Sequence, residues 1–471
     1  MRYLYQNLEH ELIAGINSGH IPVGMKLPSI RQQCEERKIS KATVIHAYQR
    51  LEASGLVEVR AKSGYFVCSR KMQHPVPSTQ QTISAPRLVD MSDVMRDIMA
   101  QSAAFDISPQ IDQRSDIPIG ITELNRSLSR ALRRQRGAEH QYYDEPAGLL
   151  PLRRQICNRY QRFGCNFNEN EVIITAGCQH ALSLALQLCC KPGDIVAVES
   201  PGFYGVLQLL ESMGLQVLEI PVTAEHGISV DGLSDVLDKW KIAACVVTPS
   251  FATPIGGAIP EESRQRLLQL AERFDFKIVE DDIYGDLSFG HRIPPLKQLD
   301  KNNRVILCGS FSKSLSRELR LGWVVSSMGQ KALMRLKMVN MLALSRYTQQ
   351  GLSDFLEDGG YDKHIRKQKV LLRQQREQLV DLLSRHWQHL GAIRISQPEG
   401  GLTLWVELDP KINVADSYLK ARAEGIIITP GNLFTAQLQY QHCLRLSFAH
   451  PWNDRRQMAL IKLGEILAAQ M

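Results

Sequence analysis

The run Cys308-Gly-Ser-Phe-Ser-Lys-Ser-Leu-Ser-Arg-Glu-Leu-Arg-Leu-Gly-Trp323 joins two apolar segments through a loop of small residues around one lysine. Val305-Ile-Leu-Cys308 predicts a buried strand, and Leu321-Gly-Trp-Val-Val325 a second. Between them Lys313 is flanked by Ser310, Ser312 and Ser314, and Arg320 follows. A lysine at the end of a buried strand loses solvation, which lowers its pKa and frees the amine as a nucleophile. Hydroxyls and a cation beside it would hold an anionic partner. A lone lysine is ordinarily a solvated surface charge. Here the strand, the serines and the arginine together point to an amine set up for Schiff-base chemistry.

On either side the same alternation continues. Val172–Thr175, Ile195–Val198, Val217–Ile220, Cys245–Thr248 and Lys277–Glu280 read as short apolar strands between helical stretches. That is an α/β organisation, a mostly parallel sheet with helices on both faces. Ligands of such sheets sit beyond the carboxyl ends of the strands. Thr175-Ala-Gly-Cys-Gln-His-Ala181 is a strand end, a glycine turn and a helix start, whose free N–H groups suit an anion; an ordinary strand-to-helix turn would read the same way. Ile278-Val-Glu-Asp-Asp-Ile-Tyr284 closes a strand with three acids, and an acid at that depth needs a cation. His442-Cys-Leu-Arg445-Leu-Ser-Phe448 is an apolar strand interrupted by one arginine, which wants a ligand carboxylate or an internal acid.

The Ser-x-x-Lys loop with its downstream arginine resembles the cofactor lysine of fold-type-I aminotransferases that use pyridoxal 5′-phosphate. The resemblance implies that Lys313 holds this cofactor as an internal aldimine, with Ser310, Ser312 and Arg320 around it. It implies Gly177, Cys178 and Gln179 at the phosphate, Asp281 on the ring nitrogen and Tyr284 on the ring hydroxyl. A carboxylate there keeps the nitrogen protonated, so that the ring works as an electron sink. In Glu199-Ser-Pro-Gly-Phe203-Tyr-Gly, Phe203 falls where the family stacks an aromatic ring on the pyridine, although a core aromatic after a turn would look alike. In Thr248-Pro-Ser-Phe-Ala-Thr253-Pro-Ile-Gly256, Thr253 stands where the family has asparagine. Its shorter hydroxyl implies different tuning for transamination. Tyr142-Tyr143-Asp-Glu-Pro-Ala-Gly148 resembles the turn whose tyrosine reaches the phosphate bound by the other subunit. Tyr143 in that role implies a domain-swapped homodimer with shared sites. Arg445 is implied as the grip on a substrate carboxylate. The resemblance divides residues 105–471 into a large lobe, about 135–355, and a small lobe, about 105–134 and 356–471, with a long helix from Asp362 to Trp387.

The N-terminal 70 residues read differently. Leu4, Leu8, Leu12 and Ile16 recur at helical spacing, with Gly19 as a stop. Ser29 caps a short second helix, and Gln32 completes a capping box. Ser40 caps a third helix that buries Val44, Ala47, Tyr48 and Leu51 and ends at Gly55. Leu56–Ala61 and Gly64–Cys68 alternate as a hairpin. These elements describe a winged helix-turn-helix, whose third helix enters the major groove of duplex DNA. The run LPSIRQQCEERKISKATVIHAYQRLEASGLVEVRAKSGYFV resembles the DNA-binding domain of GntR-type bacterial regulators. On that resemblance Arg31 clamps phosphate, Ser40, Lys41 and Thr43 approach bases or backbone, and Gly64 lets the wing reach the minor groove. Lys41 replaces a frequent arginine, which removes the bidentate fork that reads guanine. A winged helix used only for protein contacts is the alternative.

Residues 71–104 are rich in Pro, Ser and Gln at first and read as a flexible linker, with a short amphipathic helix expected from Val89 to Ala103. The formal charge is +7, and residues 1–70 hold ten Lys/Arg against six Asp/Glu, a basic bias that fits a polyanion. Ten cysteines are scattered without metal-ligand spacing, so no metal site is expected and a reducing cytoplasm is. No signal peptide or membrane span is read. A GntR-type winged helix, a tether and an aminotransferase-like domain in one chain resemble the MocR subfamily of regulators. That resemblance implies a transcriptional regulator that senses a small amino compound, or the cofactor itself, through aldimine formation at Lys313. A catalytically active aminotransferase with an appended DNA-binding domain is the other reading.

Overall fold

The computed structural model describes residues 4–17, 21–22, 24–53, 56–60, 64–67, 75–77, 83–89, 105–108, 120–135, 137, 141–437 and 439–471. The chain divides into two compact units, Met1–Gln73 and His74–Met471.

In the first unit α1 (Leu4–Asn17), α2 (Ile30–Arg37) and α3 (Lys41–Ala53) precede β1 (Val57–Arg60), which pairs antiparallel with β2 (Gly64–Val67). Leu8, Leu12, Leu27, Val44, Ala47, Tyr48 and Leu51 close one core, so the apolar spacing of α1 and α3 does what it predicts. Ser29 caps α2 by accepting the Gln32 N–H at 3.1 Å. The return arm of the expected capping box is absent. The Gln32 amide donates to Glu36 at 2.9 Å instead, because a carboxylate one turn along is a strong local acceptor. Gly19, Gly55 and the expected turn at 61–63 lie outside the described residues.

The second unit is built on a nine-stranded sheet. Its strands are β3 (Arg87–Leu88), β4 (Val172–Thr175), β5 (Ile195–Ser200), β6 (Gln216–Thr223), β7 (Gly227–Ile228), β8 (Ile242–Val247), β9 (Lys277–Asp281), β10 (Val305–Ser310) and β11 (Gly322–Val325). The order is β3-β6-β5-β8-β9-β10-β11-β4, with β7 paired to β6. β6, β5, β8, β9 and β10 run parallel to their neighbours, while β3, β7 and β11 are antiparallel additions. A smaller antiparallel sheet has the order β12 (Arg394–Ile395), β13 (Thr403–Glu407), β15 (Cys443–Ser447) and β14 (Thr429–Pro430).

Among the described residues the α-helices of this unit are α4 (Ile121–Arg134), α5 (Leu150–Gln161), α6 (Cys178–Cys189), α7 (Tyr204–Ser212), α8 (Val230–Leu237), α9 (Glu261–Arg273), α10 (Gln330–Asn340), α11 (Arg346–Glu357), α12 (Gly360–His386), α13 (Tyr418–Ala423) and α14 (Asp454–Ala468). α6, α7 and α10 cover one face of the large sheet, packing on Val196, Val246, Ile306 and Val324. α8 and α9 cover the other face over Ala197, Cys245 and Ile278, and α5 joins them over Ile174 and Val325. Successive strand residues therefore point to opposite cores, which is why these strands read as continuous apolar runs. The long α12 starts against the lysine loop, with Tyr361 and Phe311 rings 5.4 Å apart. It ends at the smaller sheet's helix α14, where Trp387 donates to the Leu460 carbonyl at 3.0 Å.

The linker expectation needs correction in its middle. Arg87 and Leu88 pair with Val217 and Gln216 as an extra edge strand, Ile83 packs into the core under α8, and Ser84 donates to Gln437 at 3.1 Å. The open edge of β6 offers unpaired backbone groups, and an extended Pro-flanked segment satisfies them. The helix expected over 89–103 lies, past Val89, outside the described residues.

Candidate functional site

The carboxyl ends of β4, β5, β8, β9 and β10 converge on Lys313. Although the residue as a whole is half-buried, its Nζ packs 3.8 Å from the centroid of the Phe105 ring. Burial is the main cause that pushes its pKa down to about 7, and the Arg317, Arg445 and Arg320 cations push the same way while Asp281 opposes them. A large fraction of the amine is therefore neutral near pH 7.

Asp281 ends β9 and is 4% exposed. Burial raises its carboxyl to about 6, against a hydrogen bond from Cys178 and the attraction of Lys313. The Cys178 Sγ–H donates to Asp281 Oδ1 at 3.1 Å, and burial keeps that thiol protonated. Cys178 thus has a side-chain role that its expected place in an anion loop does not include. Glu199, at the end of β5, is a second buried acid near Asp281, raised by burial to about 8.

Gly177 precedes α6 with φ +89°, and a Cβ there would come 2.8 Å from Arg320 Nη2. Glycine is what lets the guanidinium lie over this turn, donating to the Ala176 carbonyl at 3.2 Å. Ser310 Oγ accepts the Ser312 N–H at 3.2 Å, and the buried Ser312 Oγ has no hydrogen-bond partner among the described residues. The Gln179 side chain turns away to the Gly205 carbonyl at 2.7 Å, bracing α6 against α7.

Phe203 sits just before α7 with its ring 5.0 Å from Tyr204. Thr253 hydrogen-bonds the buried Tyr284, and its Oγ1 lies 3.4 Å from Thr403 Oγ1. Arg445 is 2% exposed on β15 and donates to Thr429 Oγ1 at 3.3 Å. Its guanidinium lies 4.7 Å from the Phe105 centroid and 5.2 Å from that of Phe434. Electrostatic interactions link Arg445 to both Lys313 and Tyr284.

Behind the site runs a buried charge network. Arg292 bridges Asp282 and Asp286, Tyr160 donates to Asp282 at 2.8 Å, and Arg159 donates to Asp286 at 2.9 Å. Burial works against the Asp286 anion, but Arg159 and Arg292 hold its carboxyl well below the usual range. The Tyr361 hydroxyl bonds both Asp286 and Ser314 Oγ at 2.7 Å. His364 Nε2 lies 2.7 Å from the Ser314 carbonyl. Helix α12 is thereby tied to the residue after Lys313, as β9 is tied to the same network through the residue after Asp281.

The structure thus gathers Gly177, Cys178, Ser310, Ser312, Lys313, Arg320, Asp281, Tyr284, Thr253 and Arg445 around one strand-end region. Tyr143 stays apart, 82% exposed beside Arg346 and Tyr347. Phe105, whose ring faces both Lys313 Nζ and the Arg317 guanidinium, carries no sequence signal, being a single residue outside any motif, whereas Arg317 and Tyr204, the latter beside Arg445, stand inside quoted motifs without having been singled out. In the first unit Arg31 pairs with Glu35 at 2.9 Å and is otherwise open to solvent. Ser40 Oγ is engaged by the Thr43 hydroxyl at 2.8 Å and caps its N–H at 3.2 Å, so both side chains already serve the start of α3. Lys41 is exposed at that helix start. Gly64 has φ +109° and passes the Lys26 stem closely enough that a Cβ would sit 3.2 Å from it.

Pyridoxal 5′-phosphate fits this set of residues. The orphaned Ser312 hydroxyl, the turn that only Gly177 leaves open, and the Arg320 cation are donors for a phosphate; Asp281 suits a protonated ring nitrogen and Lys313 an aldehyde. Residues 120–461 match the family described as aminotransferase class I and II, and residues 4–67 that of bacterial regulatory proteins of the gntR family. The HTH-type transcriptional regulator YjiR of Escherichia coli is 34% identical, over 99% of both chains.

The chain belongs to the MocR-type regulators.

Other relatives of this MocR-type chain fall on both sides of its composition. The HTH-type transcriptional regulator YdcR of Escherichia coli is 31% identical over 99% of each chain. Aromatic-amino-acid aminotransferase 1 of Thermococcus litoralis is 28% identical, covering 74% of this chain and 85% of its own. Among solved structures, kynurenine aminotransferase of Pyrococcus horikoshii, crystallised with PMP, superposes with a TM-score of 0.72 at 26% identity. It covers 81% of this chain and 95% of its own length.

Proposed function

We propose that this regulator binds duplex DNA through its first unit, holds pyridoxal 5′-phosphate at Lys313, and reads the level of a small amino compound there. The observation that carries the reading is the Lys313 amine, lowered to about 7 and set between the Phe105 ring, Asp281 and Arg445. When bound, the cofactor supplies an aldehyde that captures primary amines and a ring that withdraws electrons. The chain's own groups divide the remaining work. Lys313 offers a neutral amine, Asp281 offers a carboxylate to the ring nitrogen, and Ser310, Ser312, Arg320 and the first N–H groups of α6 offer donors to the phosphate. Phe203 supplies a flat apolar face, Tyr284 with Thr253 a pair of hydroxyls, and Arg445 the grip on an effector carboxylate. The exposed Tyr143 supports a homodimer in which it completes the partner's site.

Incubation with the cofactor should give a visible absorbance band and a borohydride-fixed mass addition at Lys313, both lost in Lys313→Ala. Amino acids titrated against a DNA mobility shift should change operator affinity in the wild type only. A protein that stays colourless and takes no borohydride adduct sinks the sensing role. The second reading, a working aminotransferase, draws its support from the residues gathered around Lys313, with Thr253 standing where the family has asparagine. Turnover with a keto-acid acceptor would establish it, whereas a single half-turnover supports the sensor. Operator affinity that follows the free cofactor without any amine would make the cofactor itself the effector.

A further inference from the structure

α4 and α12 both pack against α11 and leave between them a groove of about 980 Å³. Arg126, Arg130 and Arg133 line it from α4, and Lys363, Arg366 and Lys367 from α12. All six are exposed. Among the described residues the acids at the groove are Glu123 and Asp358, and Asp358 accepts from Arg130 at 3.0 Å. Phe355 and Leu371 add apolar lining.

The charge is concentrated here. Of the chain's +7, residues 1–70 hold +4 and residues 71–104 balance, so residues 105–471 carry +3. Among the described residues, six cations against two acids give the groove +4, more than the net excess of residues 105–471. Arg126 with Arg130, and Lys363 with Lys367, place like charges one turn apart, which weakens a helix. An arrangement that costs stability in the free protein makes sense where a polyanion neutralises it.

We propose that this groove is a second docking surface for duplex DNA, separate from the winged helix. Four of the six cations are arginines, whose planar forks suit phosphate oxygens. From Arg126 to Arg133 the helix advances roughly 10 Å, the rise of about three phosphates along one strand. Cations on both sides seat a strand between two rows. An acidic protein segment would also meet the charge, but duplex DNA is the polyanion that the first unit is built to bring. The inference rests on the DNA-binding reading of that unit.

The test uses the full chain and a long random-sequence duplex, with affinity measured between about 50 and 200 mM salt. In the variant R126E/R366E/K367E the slope of log affinity against log salt should fall in magnitude by about 2.7, three phosphate contacts at about 0.9 each. R126Q/R366Q/K367Q should lose most of the same slope, which guards against a fold disturbed by reversed charges. Lys41→Ala should lose about one contact independently. Unchanged slopes in both groove variants, with Lys41→Ala still losing its contact, overturn the groove and leave the winged helix intact. No binding of any duplex by the wild type overturns both. Polyglutamate that binds the wild type but not the variants, with DNA slopes unaltered, overturns DNA as the occupant and assigns the groove to an acidic protein.

Discussion

In the proposed role, Lys313 would act as a nucleophile whose useful pH range is set by its environment. Its pKa is lowered from 10.5 to about 7, chiefly by burial. Adduct formation with pyridoxal 5′-phosphate should therefore rise about tenfold per pH unit up to about 7 and then level off, whereas an unperturbed lysine would keep gaining to about 10. Stopped-flow absorbance across pH 5–10 would read this, and a rise continuing through pH 9 would contradict it. The stability consequence has a definite sign. The unfolded lysine binds a proton below its ordinary pKa, but the folded one does so only below about 7. This residue therefore costs stability at pH 7 and below, and the cost fades as pH rises from 7 towards 10.5. Asp281, raised to about 6, has the opposite profile: its cost is absent near pH 4 and complete above 6. Asp281→Asn should consequently leave the cofactor-free protein at least as stable at pH 8 while weakening cofactor binding. A lower melting temperature together with unchanged affinity would contradict the counter-charge role.

Two elements hold the site in place and can be tested separately. The turn before α6 depends on Gly177, whose φ of +89° with ψ of 177° is open essentially to glycine alone. Gly177→Ala should cost about 1–3 kcal/mol and displace Arg320, so the melting temperature and the cofactor's affinity should fall together. At the start of α12, Tyr361→Phe removes the hydroxyl shared by Asp286 and Ser314. It should cost about 1–3 kcal/mol, as expected when buried partners lose a hydrogen bond. The strands that carry the site are legible in the sequence because both faces are buried and each reads as one apolar run. The lysine loop, the acids that close β9 and the arginine on β15 are legible for a related reason, since a polar residue inside an apolar run announces itself. Phe105 is not legible, because only tertiary folding brings a solitary aromatic from a featureless stretch onto the lysine. β3 is equally silent: two residues flanked by proline and polar chain form a strand only because β6 leaves an edge to fill. Gln32 shows the reverse, a local motif overridden by a better acceptor one turn away.

At the scale of the whole molecule, each of the two units has its own core, so they should melt as separable transitions. Cofactor at 100 times its dissociation constant should stabilise the larger unit by about 2.7 kcal/mol and leave the winged-helix transition unmoved. Calorimetry with and without cofactor would show this, and a single transition that shifts as a whole would contradict it. The hydrogen bond from His364 to the Ser314 carbonyl has a further consequence. His364 also lines the α4–α12 groove, and Gly120 ahead of α4 passes so close that a methyl group there would strike the imidazole. One ring thus touches both the floor of a cationic trough and the residue beside the reactive amine. Coupling through it runs equally in both directions: whatever factor an amine imposes on nucleic-acid affinity, nucleic acid imposes on affinity for the amine. The promoter would then tune the receptor as much as the metabolite tunes the promoter.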